Sequence, residues 1–344
     1  MRVGAALLEH VRRSGLASVA IVGIAKNVGK TVTMRALYEA AYEQGVRVGL
    51  VSAGRDGESV DAVFGNVKPR LWLYPGMWIA TAPQPGAPLE RVRVTQEAYY
   101  ELIGPPTASG LRAAVDQLHR DCDLVLIDGA IDRLAVIATG EDAIVVACGA
   151  AAAPTEREVL DDVRGLVMRL CVPRADETAP MLRIEGALLP EAAARLVKSG
   201  ERRQVVVASP AAVMLSGTTA IRALERLQIR CERTASIVAV TVASIGPSQC
   251  FDPREFLEAV ARATGLAAYD VYAGAAAGPA IVPKAWSGAV ELHPGRARIA
   301  AALGREAIES DEFIVLRSEL HAPLPTGVRV VREAETYLLC EVAP

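Results

Sequence analysis

Short apolar runs take turns with amphipathic stretches along the first half of the chain. Residues 18–24 (SVAIVGI) are rich in β-branched side chains with no polar alternation, the pattern of a strand buried on both faces. Over 29–44 the apolar residues Val32, Ala36, Leu37, Ala40 and Ala41 recur at helical spacing, and Gly45 is placed to stop that helix. Residues 46–53 (VRVGLVSA) predict a second strand that runs into Gly54-Arg-Asp-Gly-Glu58. The pattern then predicts a helix over 111–121 and buried strands over 123–130 (DLVLIDGA) and 143–149 (AIVVACG). A helix over 155–170 follows, opened by Thr155 and Glu158 in capping-box spacing. Ahead of all these, residues 1–20 place Arg2, Glu9, Arg12 and Arg13 among apolar positions and read as an amphipathic leading helix.

Two short apolar runs flank a Tyr-Pro-Gly turn in 67–82 (VKPRLWLYPGMWIATA), predicting a β-hairpin or extended flap. It lies in an irregular, proline-containing insertion over about 66–110. The polar stretch 174–180 (RADETAP) reads as a linker. Beyond it, strands are predicted at 183–188, 204–208 and 236–243, and helices around 190–198, 210–227 and 252–263. The tail has a helix near 296–303 and strands near 313–317 and 337–342. The expected fold is α/β: a mostly parallel domain over 1–177 carrying the insertion, then a second, smaller α/β domain over 178–344.

With 344 residues the chain can bury a large core. A net charge of −3 without any basic run argues against nucleic acid as a partner, and 4% aromatic content argues against a base-stacking surface. No apolar run approaches spanning length, which argues against a membrane segment. The six cysteines are scattered without a C-x-x-C pair, as expected of reduced thiols in a cytoplasmic protein. His10, His119, His293 and His321 are far apart and read as isolated side chains.

A phosphate cradle needs a tight turn after a strand, inward backbone N–H groups, and a helix start behind them. Residues 21–33 (IVGIAKNVGKTVT) offer that combination. Gly23 leaves the strand where a side chain would block the turn, and Gly29 lets the backbone approach an anion. Lys30 can reach the outer phosphates, and the Thr31 hydroxyl suits a Mg²⁺ position. The candidate nucleotide-binding residues are Gly23, Lys26, Asn27, Val28, Gly29, Lys30, Thr31 and Val32, with Lys30 also a candidate catalytic group. Five residues separate the two glycines, one more than in the standard loop. Lys26 reads equally as a phosphate contact or a solvated loop lysine.

A bound triphosphate also calls for a carboxylate at the tip of a neighbouring strand to hold magnesium, and Asp128, closing LVLID, is the candidate beside Thr31. Asp56, after the second strand, is the candidate to position water; a plain turn explains it as well, and Arg55 and Glu58 share that loop. Arg133 could sense a terminal phosphate or sit in a surface ion pair. Thr81, Trp72 and Trp78 could touch or cover a ligand, although two strands packing on a core account for the same residues. Ser209-Pro210 and Pro247-Ser248 fit helix starts, with Ser248 or Asp252 as the cap of the helix near 252–263.

The stretch Gly23-Ile-Ala-Lys-Asn-Val-Gly-Lys-Thr31 resembles the G-T-D-T-x-V-G-K-T loop of dethiobiotin synthetase and its relatives. They belong to the P-loop class that also holds the nitrogenase iron protein and the MinD-type ATPases. The resemblance implies a P-loop NTPase fold, ATP with Mg²⁺ and a homodimer; in that class a lysine early in the loop can contact the phosphates, sometimes across a dimer interface. Lys26 is the candidate for that lysine, with a spacing to Lys30 one residue shorter than in the MinD-type signature. More narrowly, GIAKNVGKTVT, LVSAGRDGES, KPRLWLYPGMWIATA, LVLIDGAIDR and VAVTVASIGPSQCFDPREFLEAV, in that order, resemble proteins encoded beside adenosylcobalamin-dependent lysine or ornithine aminomutases. That likeness implies a subunit of an aminomutase reactivase, acting with an ATPase related to mismatch-repair proteins to exchange damaged cobalamin. No D-x-H-x-x-G cobalamin motif occurs, so cobalamin contacts would lie on the partner, and the family's V-N-P stretch is Val242-Ala243-Ser244 here. An ATP-dependent ligase like dethiobiotin synthetase and a nucleotide sensor without turnover remain open. A GTPase has no N-K-x-D motif to support it.

Overall fold

The computed structural model describes residues 2–52, 71–84, 87–105, 107–130, 142–246, 249–281 and 294–343. Helix α1 (Val3–Ser14) leads into strand β1 (Ser18–Gly23), helix α2 (Lys30–Glu43) and strand β2 (Val48–Ser52). Four short strands follow, β3 (Leu71–Leu73), β4 (Trp78–Thr81), β5 (Glu90–Arg93) and β6 (Ala98–Tyr100), then α3 (Ala108–Leu118), β7 (Leu124–Ala130), β8 (Ala143–Gly149) and α4 (Glu156–Leu170). The chain continues through β9 (Met181–Arg183), α5 (Pro190–Ser199), β10 (Gln204–Val207), α6 (Gly217–Arg226) and β11 (Ile229–Cys231). It closes with β12 (Ser236–Ala243), α7 (Pro253–Thr264), β13 (Ala268–Asp270), β14 (Ala275–Ala277), α8 (Pro294–Ala302), β15 (Glu312–Leu316), β16 (Val328–Glu333) and β17 (Tyr337–Val342). Among the described residues, no helix is long and apolar enough to cross a membrane.

The main sheet has nine strands in the order β14-β13-β12-β8-β1-β7-β2-β4-β5, parallel except for its antiparallel edge strands β14 and β5. This mostly parallel sheet with helices on both faces is the expected α/β fold class. Strand alternation divides the core in two. Val19, Ile21, Leu50, Leu124 and Leu126 face α1 and α2, together with Ile314 and Leu339 of the C-terminal sheet β15-β17-β16. Ala20, Val22, Val51, Val125 and Ile127 face α3, α4 and α7. The Thr155 capping box forms in both directions, and Gly45 stands in the left-handed region (φ 65°) just past α2, both as the sequence predicts.

Three expectations change. The runs around the Tyr-Pro-Gly turn do not pair with each other: β3 pairs with β6, while β4 joins the main sheet beside β2. The turn is real, but apolar runs on either side of it carry no information about which neighbour each will bond. The helix predicted over 210–227 is a 3₁₀ turn (Pro210–Ala212) and then α6, because the Met214 amide donates to the Leu188 carbonyl at 3.0 Å and pulls the chain out of helix. The expected division near residue 177 does not coincide with the sheet. A small parallel sheet β11-β10-β9 with its own apolar cluster does follow it, but from Ser236 the chain returns to the main sheet as β12 and β13.

Helix α2 lies between the main sheet and the C-terminal segment, so its polar positions are also interior and need partners. The Arg296 guanidinium donates to both oxygens of Glu39 at 3.1 and 2.7 Å, and the Tyr74 hydroxyl donates to Glu39 at 3.0 Å. Arg35 pairs with Asp311 at 3.2 Å. Burial favours the pairing of both groups over separation. Arg296→Met, which strands the Glu39 carboxylate, is expected to cost ~3–5 kcal/mol in urea unfolding, and adding Glu39→Leu should recover part of that loss.

Candidate functional site

The loop between β1 and α2 is positioned from both ends. The Ile24 amide donates to the Ala147 carbonyl at 3.0 Å, which extends β1 along β8 to the rim of the sheet. Val28, 1% exposed, plugs the other end into the interior, and Val32 packs half-buried against the α2-side core. Between them Asn27 and Gly29 both take left-handed backbone, at φ 58° and 85°. Alternating hand in successive residues turns backbone N–H groups toward one concavity, an anion-binding geometry.

Gly29 occupies the N-cap position of α2 and has no side chain with which to accept from the first-turn amides, and no acidic residue stands in that turn. A helix start inside a protein ordinarily has Ser, Thr, Asp or Asn to satisfy those donors. A helix start of this kind, with the positive end of the helix dipole behind it, suits an external anion. The two glycines have separate duties. A β-carbon on Gly23 would lie 2.8 Å from side-chain carbons of both Lys30 and Val28, closing the cradle, and one on Gly29 would lie 3.2 Å from Ala243.

The Lys30 ammonium crosses the loop and donates to the Ala25 carbonyl at 2.8 Å. That contact holds the cation at the mouth of the cradle, within the loop that phosphates would enter. Lys26 is exposed, Asn27 and Thr31 half-buried. Asp128 enters from the adjacent strand: β7 pairs with β1 in parallel with Ile21 opposite Asp128, so alternation turns the carboxylate to the α2 side, the side of Lys30 and Thr31. The set of a hydroxyl, a carboxylate and an uncapped helix start fits Mg²⁺ carried by phosphate oxygens, since Mg²⁺ takes hard oxygen ligands and few of them from protein. Thr31 and Asp128 are the residues that would hold it.

The remaining candidates separate clearly. Asp56, Arg55, Glu58, Arg133, Pro247, Ser248 and His293 lie outside the described residues. Asp252 is a helix cap, accepting from the Arg254 and Glu255 amides at 3.0 and 3.1 Å. Ser209 precedes the 3₁₀ turn without capping it. Trp72 packs edge-on to Tyr99 and against the core, Trp78 lies under the Arg91 guanidinium, and the Thr81 hydroxyl accepts from the Ile103 amide at 2.9 Å. Packing therefore accounts for all three. His10 bonds the Tyr269 hydroxyl at 2.8 Å, and burial lowers its pKa.

Two polar groups near the loop escape a reading of motifs. Ser52, 9% exposed, ends β2 directly beside Asp128 in the sheet. Asp270, wholly buried, ends β13; its neighbour Val271 lies 3.8 Å from where a Gly29 β-carbon would stand. Burial pushes the Asp270 carboxyl up to about 6, against the pull of two backbone amides, those of Ala273 and Tyr272. A polar residue closing an otherwise apolar strand was the available signal for both.

No protein-family model matches the chain, and no curated protein sequence matches it. Among solved structures it is similar to the signal recognition particle receptor FtsY from Elizabethkingia anophelis, at TM-score 0.26 and 13% identity over 75% of this chain and 70% of that one. A structure of the same receptor in complex with GDP gives TM-score 0.26 and 14% identity over the same shares. At that level neither the base nor the reaction follows from the likeness. Gly29→Ala is expected to destabilise the fold by ~1–2 kcal/mol, the cost of left-handed backbone for a residue with a β-carbon, read as a lowered urea midpoint with unchanged slope.

Proposed function

We propose that the chain is a Mg²⁺–ATP-binding P-loop protein that couples nucleotide binding or hydrolysis to reactivation of an adenosylcobalamin-dependent aminomutase. The observation that carries the nucleotide reading is the uncapped start of α2 behind two left-handed residues, with the Lys30 ammonium laid across the loop. Lys30 exchanges the Ala25 carbonyl for outer phosphate oxygens, and the first amides of α2 donate to the same phosphates. Thr31 and Asp128 hold the metal, whose role is to neutralise phosphate charge. Asp56 is assigned to position water.

ATP rather than GTP is favoured by the lack of an N-K-x-D stretch in the sequence. The aminomutase partner, and the mismatch-repair-like ATPase beside it, rest on the five sequence stretches that resemble the reactivase-associated proteins. In that role the chain works by conformational change, and α2 is the element able to convey it, since its start closes the loop after β1 and its middle, at Arg35 and Glu39, pairs with the C-terminal segment.

Lys30→Ala is expected to lower ATP affinity at least about 30-fold, the loss of one charge-assisted contact of ~2 kcal/mol, while circular dichroism and the unfolding midpoint stay unchanged. Calorimetric titration with Mg²⁺–ATP checks this, and retained affinity in the variant would overturn the site. The finer reading is checked with an aminomutase stalled on damaged cobalamin. Recovery of turnover on adding the chain and ATP supports it. Consumption of ATP only in the presence of a small carboxylic acid would point to a ligase instead.

A further inference from the structure

We infer that Ser52 is a positioning residue for the magnesium of this site, an inference that rests on the Mg²⁺–ATP reading above. In the parallel ladder between β2 and β7, Ser52 stands directly opposite Asp128, as Leu50 stands opposite Leu126. Leu50 and Leu126 both belong to the core on the α2 side, so one rung further the Ser52 and Asp128 side chains share that side too. Paired strands run about 4.8 Å apart, which sets the hydroxyl and the carboxylate side by side at the rim.

The neighbours of this pair narrow the choice. On the other flank of Asp128 the ladder partner is Ile21, which offers no polar atom. One strand beyond Ser52, Thr81 closes β4 and is a full strand further from Asp128. Ser52 is therefore the polar neighbour of Asp128 across the β2 ladder. The chemistry needs such a neighbour. Magnesium retains several waters, and each water has two protons to place. A carboxylate accepts only, whereas a hydroxyl accepts from a water while donating its own proton to the carboxylate. Ser52 thus orients Asp128 and a metal-bound water together, with its small side chain keeping the rim open for phosphates.

The test measures ATP affinity by calorimetry across a magnesium titration for the unaltered chain, Ser52→Ala and Ser52→Thr. Ser52→Ala should raise the magnesium concentration needed for half-maximal ATP binding at least about 10-fold, the size of one hydrogen bond to a charged group. Affinity without magnesium should be unchanged, and Ser52→Thr should restore the original dependence. Electron paramagnetic resonance of Mn²⁺ bound with ATP should change in Ser52→Ala and not in Ser52→Thr. An unchanged magnesium dependence and manganese spectrum in Ser52→Ala overturn the inference and leave the nucleotide site standing. Failure of the unaltered chain to bind ATP overturns both. Should Ser52→Ala not fold, Ser52→Cys, near in volume and poor as an acceptor, is read by the same two outcomes.

Discussion

The seating of α2 is the constraint from which the site follows. Its first turn closes the loop after β1, so its body cannot be left to shift against the sheet. Close backbone packing holds one side: a β-carbon on Gly4 would lie 1.9 Å from the Ala36 carbonyl oxygen, so α1 crosses α2 at nearly direct contact. On the sheet side the hydroxyls of Thr33 and Thr241 meet at 2.8 Å, tying α2 to β12. On the remaining side Arg35 and Glu39 reach Asp311 and Arg296. Buried ion pairs add little net stability over apolar residues of the same volume, but they tolerate few alternative placements. What they contribute here is position.

Position along α2 becomes chemistry through the alternation of the sheet. Gly23, Asp128 and Ser52 all turn toward α2 because each is an even number of residues from an apolar residue on that face: Ile21, Leu126 and Leu50. The opposite face, packed by α3, α4 and α7, carries the same strands' other residues as plain core. The site and the core are thus one pattern read at the two ends of the strands. The same C-terminal segment that clamps α2 also sends Arg332 to the Gly246 carbonyl at 2.8 Å, on the loop after β12. Two rim elements of the main sheet are therefore held by one segment.

The small sheet β11-β10-β9 is attached differently. It hangs between α4 and β12 and docks through α6 on α4, at a point where a β-carbon on Gly165 would lie 2.8 Å from the Gly217 carbonyl oxygen. Glycine at both positions allows the helices to meet backbone to backbone. Of its elements β10, α5 and the body of α6 were legible in advance, because each is short-range and periodic, whereas β9 lies at 181–183, ahead of the strand expected over 183–188, and β11 was not foreseen. The separation of this small sheet from the main one was not legible either, because the neighbouring strands β12 and β13 have the same composition and return to a different partner.

By itself, the chain determined everything that lies within a turn or a period: β1, α2, β8 and α4 nearly to their ends, the Thr155 cap, and a loop of Gly23, Gly29, Lys30 and Thr31 between strand and helix. These depend on residues a few positions apart, whose sterics and hydrogen bonds act before any distant contact forms. Tertiary structure alone decided strand partners, the split of the turn at 74–76 between two sheets, the burial of Arg35 and Glu39, and the meeting of Ser52 with Asp128. An alternating strand declares which of its faces is apolar, yet any strand offers the same backbone donors and acceptors to every other. Which one it meets is settled by how all the faces pack at once.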